Sequence, residues 1–223
     1  MEKKESYRHY LPHFQQPGQA YFVTWCLKDA VPAKALLSYT QKLEMLKNQI
    51  NIQKDGKSEK SVIVNLEQEY RAVRRKYIKA YNDLLDAERN PVINLSKPEN
   101  NAIIVGSLKF WQGKRLNNYA YTIMCNHVHW VFEVLEKDEE GNPVYLQEIL
   151  HSVKRFSANK INKIENRQGK LWQIENFDTT IRDEKHKYHA INYTLNNPVA
   201  AGLVSDWKLW PGSWGSSDLQ SLF

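Results

Sequence analysis

The sequence predicts an α+β fold: one antiparallel sheet carrying helices on one face, with a long helical insertion after the first strand at about residues 33–90. Three observations predict it. Short runs of aromatic and β-branched residues recur along the chain. Two of these runs are joined by only two residues, which suggests a hairpin. Long segments with apolar residues three or four positions apart fill the spaces between and after them. At 223 residues, the chain has room for one large domain, taken as residues 1–223 with the insertion inside it.

Each element follows from local pattern. Residues Ala20 to Leu27 (AYFVTWCL), between Gly18 and Asp29, form the first strand. Ala33 to about Asn51 carries Leu36, Leu37, Leu43, Leu46 and Ile50 at helical spacing. A polar stretch with Gly56 separates it from a second helix, Val62 to Arg89, ended by Asn90-Pro91. That helix has an apolar stripe of Leu66, Tyr70, Val73, Tyr77, Tyr81 and Leu84. Its cations, Arg71 to Lys79, are largely offset by acids, so this side reads as a solvated face. The two helices of the insertion are expected to pack as a hairpin beside the sheet.

Pro98 to about Gln112 is a third helix. Two strands follow, Arg115 to Met124 and His127 to Val134, turning at Cys125-Asn126. Leu146 to Ile164 is a basic amphipathic helix, and Lys170 to Ile181 is irregular or strand-like. Asp183 to Asn196 is the last helix, stopped by Pro198. Trp207, Trp210 and Trp214 are expected to pack back on the domain.

Composition narrows the function classes. The chain is 42% hydrophobic and 25% charged, which excludes full-length disorder. Its net charge of +6 permits a polyanionic partner without requiring one. No apolar run approaches the ~18 residues of a membrane span, and the first residues lack a signal-peptide core. Two cysteines, Cys26 and Cys125, make no disulfide framework. A soluble, cytoplasmic protein is the expectation.

Two local patterns carry chemistry. His127-Val128-His129 lies in a strand, so both imidazoles point to one face while Val128, Trp130, Phe132 and Val134 point to the other. The pair is either a divalent-metal site lacking its third ligand or two ordinary hydrogen-bonded histidines. On the last helix, His186, His189, Tyr193 and Asn197 share one face. There Tyr193 is a candidate nucleophile and Asn197 a candidate oxygen ligand, against the plain alternative of packing residues.

Several motifs, in order, resemble the HUH single-tyrosine transposases, in particular their REP-associated branch. Tyr121-Thr-Ile-Met-Cys-Asn-His-Val-His-Trp-Val resembles the signature around the histidine pair. Ile149-Leu-His-Ser-Val-Lys-Arg-Phe, Gly169-Lys-Leu-Trp-Gln, Phe177-Asp and Ile181-Arg-Asp follow in the family's order. Tyr193-Thr-Leu-Asn-Asn-Pro-Val-Ala-Ala-Gly-Leu-Val resembles the segment around the family's tyrosine, and the tryptophans after Trp207 its ending. Thr179 and Cys125 stand where the branch often has histidine and proline.

The resemblance implies a ferredoxin-like or RRM-like sheet and a specific reaction. His127, His129 and Asn197 would bind Mg²⁺ or Mn²⁺, with His186, His189, Glu133 and Asp178 as rival ligands. Tyr193 would attack a DNA phosphodiester, leaving a 5′-phosphotyrosine link and a free 3′-hydroxyl. The partner would be single-stranded DNA beside a hairpin, bound by a monomer or homodimer. Lys154, Arg155, Lys160 and Arg182 are then candidate phosphate contacts. The competing expectation is a hairpin-binding protein of the same fold without chemistry.

Overall fold

The computed structural model describes residues 6–8, 12–32, 34–56, 59–87 and 91–217. The chain divides into two compact units: Met1–Lys28 with Asn90–Phe223, and Asp29–Arg89.

The first unit opens with β1 (Ser6–Arg8) paired antiparallel to β2 (Pro12–Phe14), a small hairpin the sequence pattern does not announce. Next comes β3 (Ala20–Cys26), the first strand of the main sheet. The second unit holds α1 (Leu37–Asp55) and α2 (Lys60–Ala87). The first unit resumes with α3 (Pro98–Lys109), β4 (Leu116–Ile123), β5 (His127–Val134), α4 (Leu146–Ile164), β6 (Phe177–Thr180) and α5 (Glu184–Ala200). It closes with a 3₁₀ turn at Trp207–Leu209 and β7 (Ser213–Gly215).

The main sheet has five strands, every neighbour antiparallel, in the order β6-β3-β5-β4-β7. Without β7, the β3-α3-β4-β5-α4-β6 succession is a split βαβ arrangement of the ferredoxin-like type. The α+β expectation therefore holds, but helices cover both faces rather than one. On one face lie Tyr21, Val23, Trp25, Val128, Trp130, Phe132 and Val134, all buried. This face meets α3 and α4. Asn118 of β4 donates to the Leu108 carbonyl of α3 (3.1 Å), and Trp172, edge-on to Trp25, donates to Ser157 of α4 (3.1 Å). The α4 residues turned inward are Leu146, Ile149, Leu150, Val153, Ser157 and Ile161, the stripe an amphipathic helix presents. On the other face, Ala120 and Val131 pack against Ile191 and Leu195 of α5. The extra helix is what turns a two-layer sandwich into three layers.

β4 and β5 form the expected hairpin, with one irregularity. The register slips between Asn118 and Ala120, leaving Tyr119 as the extra residue. The slip keeps Asn118 on the tryptophan face, where its Oδ1 accepts from Trp130 Nε1 at 2.6 Å.

α5 runs to Ala200 and passes through Pro198, which was expected to stop it. Pro198 lies in the last turn, so its missing N–H removes one bond, the one to Thr194. Gly202 ends the helix instead: at φ +67° it lets Leu203 N–H reach the Pro198 carbonyl (2.9 Å). At the other end, Asp183 Oδ1 caps the helix by accepting from His186 N at 2.7 Å.

The tryptophan tail does pack back. Trp214 stacks on Tyr121 (5.4 Å, 20°) and Trp210 Nε1 donates to the Ile123 carbonyl (2.9 Å). Gly212 makes the close approach possible, since a Cβ there would sit 2.5 Å from Ile123 O.

In the second unit, α1 and α2 pack as a helical hairpin. Leu43, Leu46 and Val73 are its core, flanked by Tyr39, Leu66, Tyr70 and Tyr77. Lys42–Glu69 (2.9 Å) and Lys54–Glu67 (2.8 Å) tie the helices together across the surface. α1 lies about a turn later than the apolar pattern places it. Just before it Ala35 N–H donates to the Pro32 carbonyl (2.9 Å), and Gln53 and Lys54 are polar but good helix formers that extend it. Arg71 and Lys79 are met by Glu67 and Asp83 on the same helix, consistent with a solvated face. Ala33, Arg89 and Asn90, which bounded the predicted helices, lie outside the described residues.

Candidate functional site

A row of side chains crosses the sheet beneath α5. In register it reads Ser213 on β7, Thr122 on β4, His129 on β5, Thr24 on β3 and Phe177 on β6. His127 starts β5 one pleat away on the same face. Both histidines are only 1% exposed, because α5 covers the face that the strand pattern left open.

The imidazoles converge. His127 Nε2 and His129 Nε2 are 3.1 Å apart, with ring planes at 76°. The outer nitrogens are held from behind: His127 Nδ1 lies 2.7 Å from Asn126 Oδ1, and His129 Nδ1 lies 2.7 Å from Thr24 Oγ1. Metal-binding histidines are held in this way, with the second nitrogen fixed so that the first aims its lone pair. Burial pushes the His127 pKa down to about 3, against a smaller opposing effect of Asn197. Burial, and then the neighbouring His127, holds His129 well below the usual imidazole range. Both rings are thus neutral at physiological pH, the protonation state a ligand needs.

α5 brings the other two candidates to this pair. Tyr193, 39% exposed, sets its ring edge-on to His129 (5.2 Å, 75°) and to Phe22 (5.7 Å, 76°). Phe22 in turn stacks on His129 (5.8 Å, 29°), so the three rings fix one another. One turn further, Asn197 is 5% exposed and flanks His127. Its Oδ1 is buried with no hydrogen-bond partner, as is the hydroxyl of fully buried Thr194. An orphaned amide oxygen beside two converging lone-pair nitrogens suits a hard divalent cation of mixed N/O preference. His127, His129 and Asn197 therefore fit the implied metal.

The rival ligands do not gather here. Among the described residues, no three of His, Cys, Asp and Glu come together in a way that could hold a metal. Asp178 pairs with Val23, on the tryptophan face, and accepts from Asn176 (2.7 Å). Glu133 accepts from the Tyr119 hydroxyl (3.0 Å), His186 Nδ1 accepts from Arg182 N (3.4 Å), and His189 is exposed beside Tyr188.

The four candidate phosphate contacts fall in different places. Lys154, Arg155 and Lys160 are on α4, across the sheet from Tyr193. The Lys154 ammonium donates to the carbonyls of Gln173 (2.8 Å) and Ile174 (3.2 Å), and desolvation pushes its pKa down to about 8. Its first role is to hold that loop. Arg155 and Lys160 are exposed, Lys160 lying 5.8 Å over the ring of Phe156. Arg182 is exposed just before α5, the helix that carries Tyr193.

Thr24, Asn126 and Phe22 complete the site, and sequence reasoning did not single them out. Asn126 adjoins the histidines and could have been found by asking what holds their outer nitrogens. Thr24 and Phe22 are about a hundred residues away, and only the β3–β5 register reveals them.

No protein-family model matches the chain, and no curated protein does. Among solved structures, it is similar to a REP-associated tyrosine transposase bound to a REP hairpin, at 16% identity and a TM-score of 0.43. The match covers 96% of this chain and 82% of that one. No helix among the described residues is long and apolar enough to cross a membrane.

Proposed function

We propose that the protein nicks and rejoins single-stranded DNA beside a hairpin, with Tyr193 as the nucleophile and a divalent cation at His127, His129 and Asn197. The observation that carries this reading is the 3.1 Å convergence of two neutral imidazoles beside an orphaned amide oxygen, with a half-exposed tyrosine ring against one of them. The transposase-like motifs around the same four residues supply the substrate class.

Mg²⁺ or Mn²⁺ bound to the three ligands would polarise the scissile phosphate and offset charge that develops on it. Asn126 and Thr24 fix the ligand rings, so little reorganisation accompanies the reaction. His129 and Phe22 hold the Tyr193 ring while leaving it partly open to solvent, where a strand can reach it. Tyr193 Oη attacks phosphorus and the bond from phosphorus to the 3′ oxygen breaks. The phenol proton is released and the departing 3′ oxygen takes one up, so charge balances. The phosphate ester stays on the tyrosine, and attack by another 3′-hydroxyl restores the phenol and rejoins DNA. Arg182, and Arg155 and Lys160 from α4, supply positive charge for the backbone.

The test is a denaturing gel with labelled single-stranded hairpin DNA, wild type beside Tyr193→Phe, with and without Mg²⁺ or Mn²⁺. The expected result is a protein-linked band that requires both the metal and Tyr193. Hairpin affinity should stay within about threefold in the variant. Tight binding with no linked band under any metal would replace this reading with that of a hairpin-binding protein lacking chemistry.

A further inference from the structure

The helix over the histidine face carries a second buried polar group with unmet bonding capacity. Thr194 of α5 is fully buried, and among the described residues its hydroxyl has no hydrogen-bond partner. A threonine inside a helix often settles its hydroxyl on the carbonyl one turn back. Thr194 does not use that carbonyl. Other hydroxyls of the layer are taken: Thr24 Oγ1 lies 2.7 Å from His129 Nδ1, and Thr122 Oγ1 lies 2.9 Å from Ser213 Oγ. A buried hydroxyl left this way costs free energy that a valine of the same shape would not.

The contacts of α5 locate Thr194. Ile191 and Leu195 pack with Ala120 and Val131, Tyr193 lies edge-on to His129, and Asn197 flanks His127. Along α5, the partners on β5 therefore run backward from Val131 through His129 to His127. Thr194 is midway between Ile191 and Asn197, which sets it over the cross-strand pair of Thr122 and His129. Asn197 is three residues on, so the two side chains are neighbours on the buried face of the helix. Two oxygens with unmet bonding capacity thus lie on the α5 side of the two imidazoles.

We infer that Thr194 is a further oxygen ligand of the divalent-cation site, joining Asn197 Oδ1 opposite the nitrogens of His127 and His129. A threonine hydroxyl serves Mg²⁺ in this way in phosphate-binding loops. Two oxygens beside two nitrogens favour hard ions such as Mg²⁺ and Mn²⁺ over softer ones. The hydroxyl keeps its proton, and no covalent bond forms or breaks. This inference rests on the metal reading above.

The experiment compares the full chain with Thr194→Val, which keeps the side-chain shape, and Thr194→Ser, which keeps the hydroxyl. Calorimetry gives Mn²⁺ affinity, and the urea midpoint in EDTA gives stability without metal. Thr194→Val should bind Mn²⁺ at least about tenfold more weakly, the scale on which metal sites respond to loss of a supporting group, and Thr194→Ser should stay within about threefold of wild type. In EDTA, the midpoint of Thr194→Val should equal or exceed that of wild type, because valine buries no hydroxyl. Mn²⁺ affinity unchanged in Thr194→Val overturns the inference while leaving the metal site of His127, His129 and Asn197 standing. A lowered midpoint of Thr194→Val in EDTA also overturns it, whatever the affinity, since the hydroxyl then serves the fold. Wild-type protein that binds no Mn²⁺ overturns the metal reading and this inference together.

Discussion

The two faces of one sheet do opposite work, and β5 shows both within eight residues. Val128, Trp130, Phe132 and Val134 enter a close-packed aromatic layer, with Trp130 stacked on Phe132 at 3.7 Å and edge-on to Trp25 at 6.1 Å. His127 and His129 are buried as deeply on the other side, but among hydroxyls, an amide and an orphaned oxygen. Burial of apolar rings stabilises; burial of imidazoles and unpartnered amides costs free energy unless a ligand completes them. The tryptophan face holds the fold, and the histidine face stores unmet bonding capacity for a site.

The sharpest break of this comparison is a pair of substitutions, one per face. Trp130→Ala should destabilise by about 3–5 kcal/mol, since it empties the middle of the aromatic layer. Tyr193→Phe, at the half-exposed edge of the histidine face, should change stability by less than about 0.5 kcal/mol. Urea midpoints of the two variants read the contrast, and equal losses would refute the division of labour.

Acid should act through the histidine face. Without metal, the His127 pKa is about 3 in the folded chain, against ~6.5 for an unfolded histidine. Above about pH 6.5 both states are neutral and this group costs no stability. As pH falls through that value the unfolded chain takes up the proton first, so stability is lost down to about pH 3. The loss approaches about 1.4 kcal/mol per pH unit for this ring. His129 shifts in the same direction and adds to it. In EDTA, the urea midpoint of His127→Gln should depend less steeply on pH between 6 and 4 than that of the wild type.

A smaller effect sharpens the same point within the apolar layer. Asn118→Ala removes the acceptor of Trp130 Nε1 and should cost about 1–3 kcal/mol, because a buried donor loses its partner. Chemical denaturation with tryptophan fluorescence as the probe measures it. A change of about 1 kcal/mol is expected at Lys154→Met, which frees two carbonyls at the edge of the fold for water. On hairpin DNA that variant should keep the wild-type salt dependence. Arg155→Ala or Lys160→Ala should lower the slope of log affinity against log salt by about 1 if each meets a phosphate.

The sequence by itself determined the elements whose signals are local. β5 and α4 fall where their patterns place them, His127–Val134 and Leu146–Ile164, because strand alternation and a helical stripe are properties of a few neighbouring residues. It also placed both histidines on one face and both Tyr193 and Asn197 on one side of a helix. Tertiary structure decided what local periodicity does not encode. Pro198 sits inside α5 because tertiary packing and the Gly202 turn outweigh one lost hydrogen bond. β7 is a three-residue strand that exists only because β4 offers it an edge and Gly212 has no side chain to clash. The helix laid over the histidine face, the register that sets Thr24 against His129, and the turn of α5 that carries Tyr193 to the same ring join residues far apart in the chain. Such pairings arise from packing between elements, so each partner's own neighbourhood holds no record of the other.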